Sequence, residues 1–133
     1  MSHLRYAAAA ALALASIVFL SGCVAEQSAF TDLRGDRESH DELPQLADYA
    51  YDEVEESTSR FVGEHDGTSL WLAQGLDGYR VCIVADAGDD GWIVGCGGGT
   101  TKISGLAGTF EVLPDHAPAP GGATQLSENV YAW

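Results

Sequence analysis

Turns that contain glycine recur about every ten residues from Ser57 to the end of the chain, a spacing typical of all-β domains. Short runs rich in β-branched and aromatic residues lie between them, such as "TSLWLA", "YRVCIVA", "WIVGC" and "TFEVL". These runs favour strands, and the glycines of "GWIVGCGGG" disfavour a helix in that region. We therefore expect residues 57–133 to form a single small all-β domain of about seven short antiparallel strands, arranged as a meander, barrel or sandwich.

Apolar side chains alternate along these runs, as they do along strands that bury one face. The sets expected to share a face are Leu70 with Leu72, Tyr79 with Val81 and Ile83, and Phe110 with Val112. The same pattern makes most of the following aromatic residues core candidates: Trp71, Trp92, Trp133, Tyr79 and Tyr131. Two or more of these aromatic residues exposed in one patch would instead indicate a binding surface.

Near its start the chain has one basic residue, Arg5, and then an uncharged apolar stretch from Ala7 to Leu20. This stretch is shorter than the roughly 20 residues that a membrane-spanning helix needs, and its layout is that of a secretory signal peptide. The sequence "LSGC" that ends it resembles the lipobox of bacterial lipoprotein precursors. The resemblance implies a diacylglycerol on Cys23 and cleavage between Gly22 and Cys23, so that residues 1–22 are the signal peptide. An uncleaved anchor and a secreted protein without lipid are the alternatives.

The excess of acidic residues limits which classes of partner the protein can bind. The chain has 20 Asp and Glu against six Lys and Arg, a net charge of −14, which disfavours nucleic acid as a partner. Eleven of the acidic residues lie between Glu26 and Glu56, where large apolar residues are few. We therefore expect residues 23–56 to be a mostly disordered tether, with a short helix after Pro44 as an alternative. The charge favours solubility and could also attract a cationic partner.

A second prediction concerns a bond between Cys82 and Cys96. They lie on consecutive predicted strands, and a hairpin that turns near Asp89 places Cys82 opposite Cys96 and Val84 opposite Val94. Exported proteins fold in an oxidising compartment, so we expect a disulfide between these two cysteines. A redox-active pair or a metal-binding pair is the alternative. The disulfide leaves Cys23 free for lipid.

Four segments contain residue types that occur in binding or catalytic sites, but turns and loops explain them better. The acidic turn Asp86–Gly91 lacks the ligand spacing of a calcium loop, since glycines occupy its third and twelfth positions. In "GEHDG", residues 63–67, neighbouring strand side chains would point to opposite faces and make a poor joint site, and His65-Asp66-Gly67 is interpreted as a turn. "GCGGGTTK", residues 95–102, lacks the Gly-Lys-Ser/Thr order of a phosphate loop. "PDHAPAPGG", residues 114–122, is either a long loop or a proline-rich recognition segment.

No catalytic motif, metal-ligand set or cofactor fingerprint is present in the sequence. The lipobox, the acidic segment and the pattern "VGEHDG…LWLA…VCIVA…GWIVGCGG" together resemble small lipoproteins of high-GC Gram-positive bacteria. This resemblance implies that the protein is attached by a lipid to the extracytoplasmic face of the cell membrane. It implies no particular activity. Our leading hypothesis is a binding or interaction module at the cell surface. The alternatives are an acidic inhibitor-like protein that captures a cationic or envelope partner, and a small enzyme that uses Glu64 or His65.

Overall fold

The computed structural model describes residues 29–76 and 81–133. These residues contain eight strands: β1 (Val54–His65), β2 (Thr68–Gly75), β3 (Val81–Asp86), β4 (Trp92–Gly97), β5 (Thr101–Gly105), β6 (Gly108–Val112), β7 (Thr124–Gln125) and β8 (Val130–Ala132). Three single 3-10 turns accompany them, at Thr31–Leu33, Ser39–Asp41 and Gly88–Asp90. The predicted all-β class is therefore confirmed.

The strands form two antiparallel sheets of four. The first has the order β1-β2-β3-β4, and each strand pairs with the next along the chain. The second has the order β5-β6-β8-β7. After β6, the proline-rich loop leads to β7 at the edge of the sheet, and β8 then pairs with both β7 and β6. The inter-sheet core contains side chains from both sheets, among them Leu72, Ile83, Phe110 and Val112. Each side chain of this kind contributes about 1.5–3 kcal/mol when fully buried.

Two hairpins have the turns that the sequence predicts. The β1–β2 connection is the pair Asp66 and Gly67, both with positive φ (49° and 80°), as a type I′ turn requires. In the β3–β4 hairpin, Cys82 lies opposite Cys96, and the next pair on the same face is Val84 opposite Val94, as expected. The predicted disulfide Cys82–Cys96 is present, with an S–S distance of 2.06 Å.

The segment before β1 differs from the expected tether. Phe30 is 3% exposed and Leu33 is 8% exposed, and both belong to the inter-sheet core. Leu43 and Tyr51 pack on the opposite face of the first sheet, and Val54 already begins β1. Apart from Tyr49, the few large apolar residues of this acidic segment are thus fully or partly buried, and the described fold already includes the chain from Ala29, 28 residues before Ser57.

Residues 48–53 form successive turns, with the Ala50 N–H donating to the Ala47 carbonyl, instead of the alternative helix after Pro44. Gly22, Cys23 and the signal peptide lie outside the described residues, as does Tyr79. Within residues 29–76 and 81–133, no helix is long and apolar enough to span a bilayer.

Candidate functional site

A network of hydrogen bonds fixes the start of the described chain to its C-terminal strands. The Asp115 carboxylate accepts from the Thr31 N–H (2.8 Å), from the Asn129 side-chain amide (2.9 Å) and from the Arg34 guanidinium (2.7 Å). In return, the fully buried Asn129 accepts from the Asp32 N–H at 2.9 Å. Burial raises the pKa of the Asp115 carboxyl, but these hydrogen bonds and the Arg34 charge outweigh it and hold the pKa below 3.8. We call this set of five residues the first lock.

A second lock attaches the chain around Asp41 to β1. The Asp41 carboxylate, in a residue only 4% exposed, accepts from the backbone N–H groups of Glu38 and Phe61, both at 2.8 Å. The Ser59 hydroxyl donates to the Asp41 carbonyl at 2.5 Å. Burial raises the pKa of the Asp41 carboxyl, but the two N–H donors and the nearby charges of His40 and Arg60 bring it below 3.8. The second lock, on one side of residues 43–53, and the start of β1 at Val54, on the other, fix the two ends of this stretch, whose Leu43 and Tyr51 pack on the outer face of the first sheet.

A cleft of about 380 Å³ lies where residues 49–53 cross that outer face. We call it the outer cleft, and the residues that line it are Tyr49, Ala50, Asp52, Glu53, Trp92, Val94 and Cys96. Trp92, Val94 and Cys96 point to the same side because they alternate along β4. The outer cleft therefore has one wall from the acidic segment and one from the sheet.

Two aromatic rings stand at the mouth of the outer cleft. Tyr49 is 69% exposed, while Trp92 is half-buried. Their ring centroids are 5.9 Å apart and the rings are tilted by 52°. Tyr49 leaves most of its ring accessible, although burying a tyrosine ring against apolar neighbours is favourable. An exposed aromatic ring in contact with a half-buried one beside a cleft is typical of a binding surface.

The surroundings of the outer cleft are acidic. Asp52 and Glu53 are both exposed at its rim. A neighbouring hollow is lined by Asp48, Tyr51 and Glu56, and Asp52 lines both hollows. Burial raises the pKa of the Tyr51 hydroxyl, and the negative charges of Asp86 and Glu56 raise it further. The potential at this face is therefore negative.

Basic side chains of the described residues are engaged elsewhere. Arg37 donates to the Ser59 hydroxyl, and Arg60 donates to the carbonyls of Gly35, Thr58 and Ser59. The Lys102 ammonium lies over the Trp133 ring, 3.9 Å from its centroid. None of the residues that line the outer cleft or its neighbouring hollow is basic. The negative potential at the outer cleft is thus not offset by a cation in its walls.

The disulfide lies behind the outer cleft. Cys82 is fully buried, whereas Cys96 is partly exposed and lines the cleft. The two sulfurs lie 3.7 and 3.9 Å from the Glu53 carbonyl oxygen, next to the buried Val54 and Ala73. The disulfide therefore supports the part of the acidic segment that forms the cleft wall.

Of the motifs discussed from sequence, "GEHDG" at residues 63–67 contributes no side chain to the outer cleft. His65 ends β1 and Asp66 begins the hairpin turn, with the His65 Nε2 3.2 Å from the Asp66 Oδ2, and the His65 ring contacts Phe110 edge-on. Among residues 29–76 and 81–133, no three His, Cys, Asp or Glu side chains are placed to hold a metal ion. The acidic turn at residues 86–91 is a hairpin turn, in which the Asp86 carboxylate accepts from the Gly88 N–H.

Of the aromatic core candidates, Trp71 and Tyr131 are buried, as predicted. Trp92 and Trp133 are not, and Trp133 is 43% exposed. The period of two could have grouped Trp92 with Cys96, but Tyr49 comes from the segment interpreted as a tether, and no local pattern joins the two rings. No protein-family model, curated protein or solved structure matches the chain.

Proposed function

We propose that this protein is a lipid-anchored binding module at the outer face of a bacterial cell membrane, and that its outer cleft captures a cationic partner. The observation that carries the proposal is the pair of the exposed Tyr49 and the half-buried Trp92 beside the carboxylates of Asp52 and Glu53. An aromatic face attracts a Lys or Arg side chain of a partner by about 0.5–2 kcal/mol. Carboxylates next to it attract the same cation over a longer range.

The charge of the whole chain supports a cationic partner. A net charge of −14 produces a negative potential that accelerates the encounter with a basic protein. Exposed charges act in this way only over about one Debye length, roughly 10 Å at 0.1 M salt. Binding should therefore weaken as the salt concentration rises.

The anchor is proposed from the "LSGC" sequence at residues 20–23. A diacylglycerol on Cys23 supplies two acyl chains, and each buried methylene contributes about 0.8 kcal/mol. One acyl chain binds a membrane only marginally, whereas two give a stable attachment. The lipid would hold the domain at the membrane without a spanning helix.

Binding is tested by isothermal titration of the chain from residue 24 onward with an arginine-rich peptide. Trp92→Ala should weaken binding by about 1 kcal/mol, roughly fivefold. Trp133→Ala is the matched control, because this tryptophan is exposed, lies beside Lys102 and does not line the outer cleft. Equal affinity in both variants and the parent chain would contradict the proposed cleft.

The anchor is tested by metabolic labelling of the full chain with a fatty acid. Cys23→Ala should take up no label and remain at precursor length. Cys82→Ser is the matched control, since it also removes a cysteine and should still be labelled. Normal labelling of Cys23→Ala would contradict a lipid anchor on Cys23.

A further inference from the structure

A second surface of the domain is uncharged, which is unusual in a chain with 20 acidic residues. It is a groove of about 560 Å³, which we call the proximal groove, lined by Ala29, Phe30, Gly98, Gly99, Thr100 and Pro114. Gly98 and Thr100 are exposed, while Phe30 forms a buried floor. Asp115, which follows the lining residue Pro114, forms an ion pair with Arg34 at 2.7 Å that carries no net charge.

The proximal groove is fixed relative to the start of the described chain. The Asp115 N–H donates to the Ala29 carbonyl at 2.8 Å, and the Asp115 carboxylate accepts from the Thr31 N–H at 2.8 Å. Phe30, between them, is 3% exposed in the inter-sheet core. Ala29 therefore cannot move away from the groove without breaking the first lock.

The length of the chain limits how far the proximal groove can be from a lipid on Cys23. Ala29 is six residues after Cys23. Six residues extend at most about 22 Å. An anchor at Cys23 thus keeps the domain next to the bilayer, in contrast to the long tether expected from composition.

Charge decides which end of the domain can approach the bilayer. Anionic headgroups repel acidic surfaces such as the one around the outer cleft. The proximal groove has an apolar, uncharged lining and lies beside the point where the chain leads to Cys23. We propose that the proximal groove faces the bilayer and takes an acyl chain of a membrane lipid, an inference that rests on the proposed anchor.

The same orientation places the Trp92 end of the outer cleft farther from the membrane than its Cys96 end. Trp92 begins β4, and Gly98 follows the end of that strand. Six residues of strand span about 20 Å. The aromatic pair is therefore presented on the side where a partner in the envelope can reach it.

The test places a photo-crosslinking benzoylphenylalanine in the full, acylated chain, reconstituted in vesicles of phosphatidylethanolamine and phosphatidylglycerol. The probe replaces Thr100 at the proximal groove or, as a matched control, Leu106. Leu106 is 91% exposed and apolar but follows the opposite end of β5. Mass spectrometry after irradiation should find lipid adducts several-fold more often at position 100 than at position 106.

A second variant tests the lining itself. A Cβ at Gly99 would meet no atom within 4 Å, so Gly99→Asp adds a charge without a clash. It should abolish the adducts of the probe at position 100. Equal adducts at positions 100 and 106, or none at 100 in acylated protein, would overturn the inference alone. An intact mass without lipid on Cys23 would overturn the anchor, and with it the inference.

Discussion

Replacing Asn129 by alanine removes the centre of the first lock. The Asn129 side chain is fully buried and makes three hydrogen bonds of 2.9 Å: two as donor, to the Leu113 carbonyl and the Asp115 carboxylate, and one as acceptor from the Asp32 N–H. Alanine can form none of them. The backbone N–H of residue 129 can still donate to the Asp32 carboxylate, as it does at 2.9 Å in the parent chain.

The expected cost follows from these three bonds. A neutral hydrogen bond contributes about 1 kcal/mol net, and one to a carboxylate contributes about 1.5–3 kcal/mol. The partners of Asn129 in these bonds are only partly buried, so water can replace some of the lost hydrogen bonds. We therefore expect Asn129→Ala to lower the free energy of unfolding by about 3 kcal/mol. With a urea dependence of about 2 kcal/mol per molar, the midpoint should fall by roughly 1.5 M.

The measurement is urea unfolding, followed by tryptophan fluorescence, of the oxidised chain from residue 24 onward. Trypsin provides a local readout, since release of the N-terminal segment should expose Arg34 and Arg37 to cleavage. Glu128→Ala, at an exposed neighbour, is the control and should change stability by less than about 0.5 kcal/mol. A loss below that value for Asn129→Ala, with unchanged cleavage, would refute the role assigned to the first lock.

The pKa of Asp115 lies below 3.8 in the folded chain, so its carboxylate contributes stability above pH 3.8 that is lost as the pH falls through the folded pKa. Asp115→Asn should therefore unfold with a shallower pH dependence in this acidic range, and an unchanged dependence would contradict the shift. Cys82→Ser should lose about 3 kcal/mol in thermal unfolding; equal melting temperatures of the parent chain with and without reductant would argue against this. Gly95→Ala should cost about 1–3 kcal/mol, because its Cβ would collide with Ile103, whereas Gly98→Ala meets open space and should be neutral in the same assay.

The β architecture could be predicted because its signals are local. Alternation along Leu70–Ala73 and Phe110–Val112 shows which side chains face inward, and the hairpin over Asp89 fixes the register of the two cysteines. A disulfide between directly opposite strand residues follows from that register. These features need no information about distant parts of the chain.

The folded state of residues 29–53 could not be predicted in this way. Its composition is that of a disordered segment, and the residues that hold it are far away in sequence: Thr31 bonds to Asp115, 84 positions later, and Asp32 to Asn129, 97 positions later. No local pattern shows such pairs. Half of the outer cleft was missed for the same reason, since Tyr49 belongs to this segment while Trp92 lies on β4.

The most direct test of the cationic binding site is a nuclear magnetic resonance titration of the ¹⁵N-labelled chain with an arginine-rich peptide, at low and high salt. Each tryptophan indole N–H gives its own signal, so Trp92 reports on the outer cleft while the exposed Trp133 is an internal control. We expect the Trp92 signal to shift at low salt, the Trp133 signal to stay in place, and the shift to shrink at high salt. Equal shifts of both indoles, or a Trp92 signal that does not move at low salt, would contradict capture of a cationic partner by the outer cleft.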